Sequence, residues 1–450
     1  MKQVLTEGNI GKGLILFSLP MIAGNLLQQL YNVVDTLIVG QTIGAQALSA
    51  VGSSYALMVL LTSVILGLCM GSGVVFSQLY GANREEEVKV SIVNAFVLIF
   101  LVSAVVMALS YLLLNSIVVW MQIPKEAIVY AKEYLTIIFS GILFVFLYNF
   151  FSAILRSVGN TFIPLVFLGV SAFLNIVLDL VFILVFHMGV KGAATATVLS
   201  QMCSALWVLK FLTGKKAVLH LKKDAMRLSW SRVKSIMSLG ISGFMMAFTN
   251  SIVQVFCNMT LHQYGGDLYV GVMTVLNSIR EITTTPVNGL TSGASPVMSF
   301  NYGENACHRV RKAIRFVTVL CVSYTMIIWG LLKLFPEFFI RIFNSEPELI
   351  SRGIPALHIY FFGYCFMALQ FTAQCTFVAL GKARKATFFS IFRKVLIVVP
   401  LTVLLPGVGN LGVDGVFWAE PISNLIGGCA SFFTMLLTVM PELKKGAKGK

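Results

Sequence analysis

SLPMIAGNLLQQLYNVVDT, residues 18–36, lies inside an apolar run from Leu14 to Val39. That run is long enough to cross a bilayer as a helix, which takes about 20 residues. Its polar residues are patterned. Asn25, Gln28, Asn32 and Asp35 fall at i, i+3, i+7 and i+10, one stripe of a helix. An aspartate near the centre of a spanning helix costs about 2.5–3.5 kcal/mol on insertion scales, so it faces a wet cavity or a partner. The bland alternative is a carboxylate at the headgroups, because Val39 follows closely. The wholly polar stripe argues for function. Pro20, upstream, removes an intrahelical hydrogen bond and predicts a bend or hinge.

Composition extends this reading to the whole chain. Hydrophobic residues make up 57% of 450, charged residues 11%, and mean hydropathy is +0.87, the balance of an integral membrane protein. In lipid every backbone group must be paired internally, which leaves helices or a closed barrel. The apolar runs are continuous rather than alternating, so the expected class is all-α and polytopic. A net charge of +15 does not indicate nucleic acid, because the basic residues cluster in short loops without a basic domain. Eight cysteines without a C-x-x-C pair and five dispersed histidines argue against a zinc site.

Twelve spanning runs can be drawn. In the first half they are roughly 14–39, 47–79, 90–114, 130–155, 161–186 and 191–212. In the second they are 235–263, 268–301, 314–335, 354–380, 387–405 and 412–438. The second run of each half is too long for one straight crossing. GLCMGSG (67–73) interrupts one, and TTTPVNGL and GASP (283–296) the other, so broken or tilted helices are expected there. Lys and Arg set the orientation. The loops near 81–89, 156–160, 210–234, 309–315 and 382–394 hold, with both termini, 26 of the 33 basic residues. The positive-inside rule therefore places both termini in the cytoplasm. Arg280 is left within a helix.

The halves repeat. SQLYGAN (77–83) matches SFNYGEN (299–305) at an offset of 222, and GVKGAATA (189–196) matches GVDGVFWA (412–419) at 223. Such a slowly drifting offset marks a duplicated unit. Six spans is even, so the two units enter from the same side as parallel repeats, with a cleft expected between them. The expected layout is an amino-terminal six-helix lobe (1–213), a basic linker (214–232) and a carboxy-terminal six-helix lobe (233–450).

Seven acids lie in or near the spans. Glu133, Asp267 and Asp414 sit at expected outer ends and are set aside. Asp179 is deep in LNIVLDLVF, with Asn175 one turn before it on the same face. Thr197, Ser200 and Gln201 share one side of the sixth run. Two carboxylates with neutral oxygens on three helices make a site for a proton or a hard cation such as Na⁺. In the second half, Asn277 lies one turn before Glu281, and Glu420 is the repeat counterpart of Thr197. Either acid can bind a cationic substrate or close a salt link between helices. The Tyr-Gly-x-Asn stretches at 80–83 and 302–305 read as helix stops.

The chain resembles the multidrug and toxic compound extrusion (MATE) family over nearly its whole length. The resemblance is carried by VDTLIVGQTIGAQALSAVG (34–52), GSGVVFSQLYGANR (71–84), RSVGNTFIP (156–164) and GVKGAATATVLSQ (189–201). It implies twelve helices in two lobes and export of lipophilic cations driven by inward Na⁺ or H⁺. In members with an amino-lobe coupling site, the family's positions match Asp35, Asn175, Asp179 and Thr197 here, and the bending proline matches Pro20. Other branches carry acids in the seventh and tenth helices. Here those helices offer Asn250, Gln254, Asn258, Gln370 and Gln374, all neutral.

The sequence thus points to a secondary exporter, not an enzyme, working by alternating access in a bacterial plasma membrane. It predicts no cofactor beyond the coupling ion, lipophilic cations and the bilayer as partners, and a monomer. The expected substrate cavity draws on Asn25, Gln28, Asn32, Gln201, Asn277, Glu281 and Glu420. The main rival is a flippase for a lipid-linked oligosaccharide or another amphiphile. Its anionic cargo calls for several cavity arginines, and only Arg280 is expected there. A membrane receptor or enzyme is weaker, since no nucleophile, metal cluster or extramembrane domain is present.

Overall fold

The computed structural model describes residues 8–121, 125–214, 227–409 and 411–446. Most of the expected linker, 215–226, lies outside them. The described residues are helical throughout, and twelve helices or helix pairs have membrane length. We number these α1–α12. The first six are Ile10–Thr42 (α1), Ala45–Gly81 (α2), Glu85–Leu112 (α3), Ile128–Ser157 (α4), Phe162–Leu180 (α5) and Val190–Thr213 (α6). Trp230–Gly303 is two helices, α7 and α8, divided at Gly266, whose backbone (φ 68, ψ −167) is not helical. Then come Cys307–Leu334 (α9) and the pair Pro347–Tyr360 and Tyr364–Ala379 (α10), bent by 52°. α11 begins at Ala383–Ile391, continues through a π-helical stretch, Phe392–Val398, and ends with Val399–Leu404. Val413–Gly446 is α12. The twelve expected crossings are all present.

Large apolar side chains lie exposed along these helices, among them Leu101, Leu112, Phe173 and Leu437. In water such a surface would drive aggregation; in a bilayer it faces lipid. α3 opens with Glu85, Glu86 and Glu87 in its first turn, where the helix dipole favours negative charge.

Contacts divide the chain into two units. Among the described residues, one contains Ala23–Phe244, and the other joins those up to Ile22 with those from Met245 onward. The duplication is written into the backbone. Left-handed residues recur at matched positions: Gly44 and Gly266, Asn83 and Asn305, Gly159 and Gly381, His187 and Gly409, Gly189 and Gly412. The Tyr-Gly-x-Asn stretches do end helices. Arg84 donates its backbone N–H to Leu79 O at 3.0 Å and Ala306 donates to Asn301 O at 2.9 Å, the same stop motif twice. The repeats differ at Gly363, whose left-handed turn breaks α10, whereas α4 runs through unbroken.

Two expectations are corrected. Neither GLCMGSG nor the 283–296 stretch breaks its helix; α2 and α8 run straight through, Pro286 and Pro296 included. The glycines instead allow close helix approach. In the amino-terminal unit a Cβ on Gly67 would lie 2.5 Å from Gly240 O, and one on Gly71 2.8 Å from Gly240 N. In the other unit a Cβ on Gly289 would lie 2.7 Å from Ile22 Cα, and one on Gly293 2.7 Å from Ser18 Cα. The second correction concerns charge. Arg393 and Lys394, assigned to a loop, are buried inside α11, which leaves 24 of the 33 basic residues in the loops and tails counted as cytoplasmic.

Candidate functional site

In the amino-terminal unit α1, α5 and α6 bring the expected four residues into the interior. Asp35, Asn175, Asp179 and Thr197 are 8%, 1%, 0% and 7% exposed. Asn175 donates its side-chain amide to Thr197 Oγ1 at 3.3 Å, joining α5 to α6. The same two helices are tied further along by Ser171 Oγ donating to Ser200 O and Ser204 Oγ to Phe167 O. Asp35 and Asp179 lie close enough to interact, and either can donate to the other only if it carries a proton. With both ionised, Asp35 Oδ1, both oxygens of Asp179 and Asn175 Oδ1 are buried without a hydrogen-bond partner.

Buried polar atoms are normally paired, and four orphaned oxygens on adjacent helices form an acceptor set without donors. A proton shared by the carboxylates, or a hard monovalent cation, satisfies them. The described residues hold no cluster of three or more His, Cys, Asp and Glu, so the donor set is not that of a transition metal. Asp179 is followed at once by a π-helical turn, Val181–Val185, a local irregularity of the kind found at functional positions. Tyr31 and Tyr134 lie close enough to interact electrostatically with both carboxylates, and sequence reasoning missed them. Tyr31 was legible, four residues before Asp35 on the same helix face.

The rest of the α1 stripe is wetter. Asn25 and Asn32 are half-buried and Gln28 is exposed. Asn32 Nδ2 reaches the Tyr55 hydroxyl at 3.5 Å. Gln201 is half-buried on α6. Pro20 sits inside α1, which continues past it.

In the carboxy-terminal unit the structure shows the second of the two roles expected for Glu420. Glu420 on α12 is 5% exposed and serves as a salt link. Arg280 Nη1 lies 3.3 Å from its Oε1 and Arg393 Nη1 3.4 Å; Lys394 Nζ lies 3.1 Å from Oε1 and 3.3 Å from Oε2. Arg393 also donates to Asn424 Oδ1, and the Arg280 guanidinium packs over the Tyr360 ring. Asn277 does not join Glu281; it accepts a hydrogen bond from the Tyr360 hydroxyl at 3.0 Å. Glu281 is exposed and lies outside the small cavity that Asn277, Arg280, Lys394 and Glu420 line. Glu133 pairs with Lys191, while Asp267 and Asp414 are exposed.

The signal for Arg393 and Lys394 was present in the duplication. An offset of 222 maps them onto Ser171 and Ala172, well inside α5.

With this geometry in hand, the chain can be set beside known proteins. The MatE family pattern matches it twice, over residues 20–181 and 242–404. It is 30% identical over 432 residues to "Probable multidrug resistance protein YpnP" of Bacillus subtilis, covering 95% of each chain. It is 29% identical to "Probable multidrug resistance protein NorM" of Thermotoga maritima, covering 93% of this chain and 90% of that one. Among solved structures, one described as MATE in complex with MaL6 superposes with a TM-score of 0.92 at 23% identity, over 98% of this chain and 99% of the other. Two matched halves, a near full-length relative and the twelve-helix fold agree: the chain belongs to the MatE family, the multidrug efflux transporters of the MATE class.

Proposed function

We propose that this protein exports lipophilic cations in exchange for inward H⁺ or Na⁺ by alternating access, with Asp35, Asn175, Asp179 and Thr197 as its coupling site. The observation that carries the reading is the set of four buried, unpartnered oxygens in the amino-terminal unit. An ion or proton entering there removes the repulsion between two carboxylates and gives the orphaned acceptors a partner. α1 then repacks, bending at Pro20, and the drug is expelled. When the ion leaves, the site is again negative and receptive to a cation. A pH unit supplies about 1.4 kcal/mol, and 100 mV about 2.3 kcal/mol per charge. Coupling also requires that the ion bind the two states differently, which the repacking of α1 provides.

The protein acts, on this reading, as a monomer in a bacterial plasma membrane with both termini in the cytoplasm. The test is dye uptake into inverted vesicles, whose outer face is the cytoplasmic one, under pH and Na⁺ gradients imposed separately. Uptake driven by at least one gradient is expected; uptake indifferent to both contradicts the proposal.

One observation favours a second reading, an exporter of anionic amphiphiles. Arg280 is not alone: Arg393 and Lys394 join it. The same vesicles offered an anionic dye from outside separate the two readings.

A further inference from the structure

The carboxy-terminal cluster carries more positive charge than its partners balance. Arg280, Arg393 and Lys394 converge on Glu420, and among the described residues no second carboxylate pairs with them. Glu281 follows Arg280 in sequence, but adjacent helical residues do not face each other, and Glu281 is exposed. A guanidinium does not lose its proton in proteins, so the two arginines alone outnumber the carboxylate. Burying charge without a counter-charge is strongly unfavourable.

The donors are also in surplus. Arg280 makes one hydrogen bond, from Nη1 to Glu420, and its side chain stays 25% exposed. Arg393 Nε is buried with no partner. Lys394 and Arg280 line a cavity with the side chains of Asn250, Gln254 and Asn277. The Asn277 carbonyl is engaged by Tyr360, which leaves its amide N–H groups as donors. The enclosed space holds about one water-sized guest. Arg393 and Lys394 are neighbours on the π-helical stretch of α11, and both reach Glu420.

We propose that this cavity, which Glu420 also lines, binds a small monovalent anion of about chloride size, held by Arg280 and Lys394. The anion supplies the missing counter-charge and takes up the unused donors. A large organic anion does not fit the space. The inference is independent of the coupling site assigned to the other unit.

The test uses the full chain in phosphatidylcholine nanodiscs, in gluconate buffer, with radiochloride binding read by scintillation proximity. Saturable binding is expected, displaced by bromide but not by gluconate. Arg280→Gln weakens it about tenfold or more, the worth of a charge-assisted hydrogen bond. Asp179→Asn abolishes export on the coupling reading and leaves radiochloride binding intact on this one, so the two proposals fail separately. Should Arg280→Gln misfold, Glu420→Gln provides a second readout. It leaves three cations without a carboxylate, and its melting temperature climbs more steeply with chloride than that of the wild type. Absence of saturable radiochloride binding, wild-type affinity in folded Arg280→Gln, or equal displacement by gluconate overturns the proposal.

Discussion

Lys394 donates to both carboxylate oxygens of Glu420, at 3.1 and 3.3 Å, and so ties α11 to α12. Glu420 is the repeat counterpart of Thr197, which receives the Asn175 amide and ties α5 to α6. One duplicated scaffold therefore carries two interhelical links of opposite polarity. The first has two carboxylates and neutral oxygens; the second has three cations around one carboxylate. The two units have diverged in the charge they bury.

Removing Glu420 tests its structural role. Glu420→Gln should destabilise the protein by about 3–5 kcal/mol, the range for breaking one side of a buried ion pair. Glu281→Gln, on an exposed side chain, should stay within about 0.5 kcal/mol. Denaturation of the purified variants measures both. Equal effects would show that the cations are not held by Glu420.

Gly67 supplies a steric test. A Cβ there meets the backbone oxygen of Gly240, which cannot rotate away. Gly67→Ala should cost about 1–3 kcal/mol by overpacking. Gly52→Ala, in the same helix but facing open space, should cost nothing. Matching melting temperatures for the two variants would mean that α2 and α7 do not approach as described.

Orientation is tested by thiol labelling in a background without native cysteines. Cysteines at Thr42 and Val408, both exposed, should react with an impermeant reagent from outside intact cells. One at Ser231 should react only after lysis. The basic loops set this expectation, and labelling of position 231 in sealed cells reverses it.

Substrate charge gives the next test. Expression should raise tolerance to quaternary ammonium biocides and leave tolerance to anionic detergents unchanged, because the buried carboxylates of the amino-terminal unit favour cations. Equal protection against both classes moves the balance to the anionic-amphiphile reading.

Much of this architecture was legible in the sequence, because lipid allows few backbone solutions and the duplication constrains them twice. The α1 stripe led to Asp35, and the pair LNIVLD led to Asn175 and Asp179. What escaped was chemistry at run ends. Arg393 and Lys394 fall where the run drawn at 387–405 overlaps the basic stretch 382–394, and the charge count assigned them to the loop. Comparison with α5 agrees with the run and places them in the interior. The glycines of 67–73 were read as breaks because glycine weakens an isolated helix. The partner that turns them into a contact, Gly240, is far away in sequence.

On the proposed mechanism, Asp35 and Asp179 couple ion entry to export. Asp179→Asn mimics the neutral form at nearly constant volume, so folding and expression should remain near normal. The decisive measurement is the initial rate of dye uptake into inverted vesicles bearing Asp179→Asn, under whichever gradient drives the wild type, with Asp35→Asn beside it. Gradient-driven export should disappear in both. Export by Asp179→Asn at the wild-type rate would contradict the mechanism.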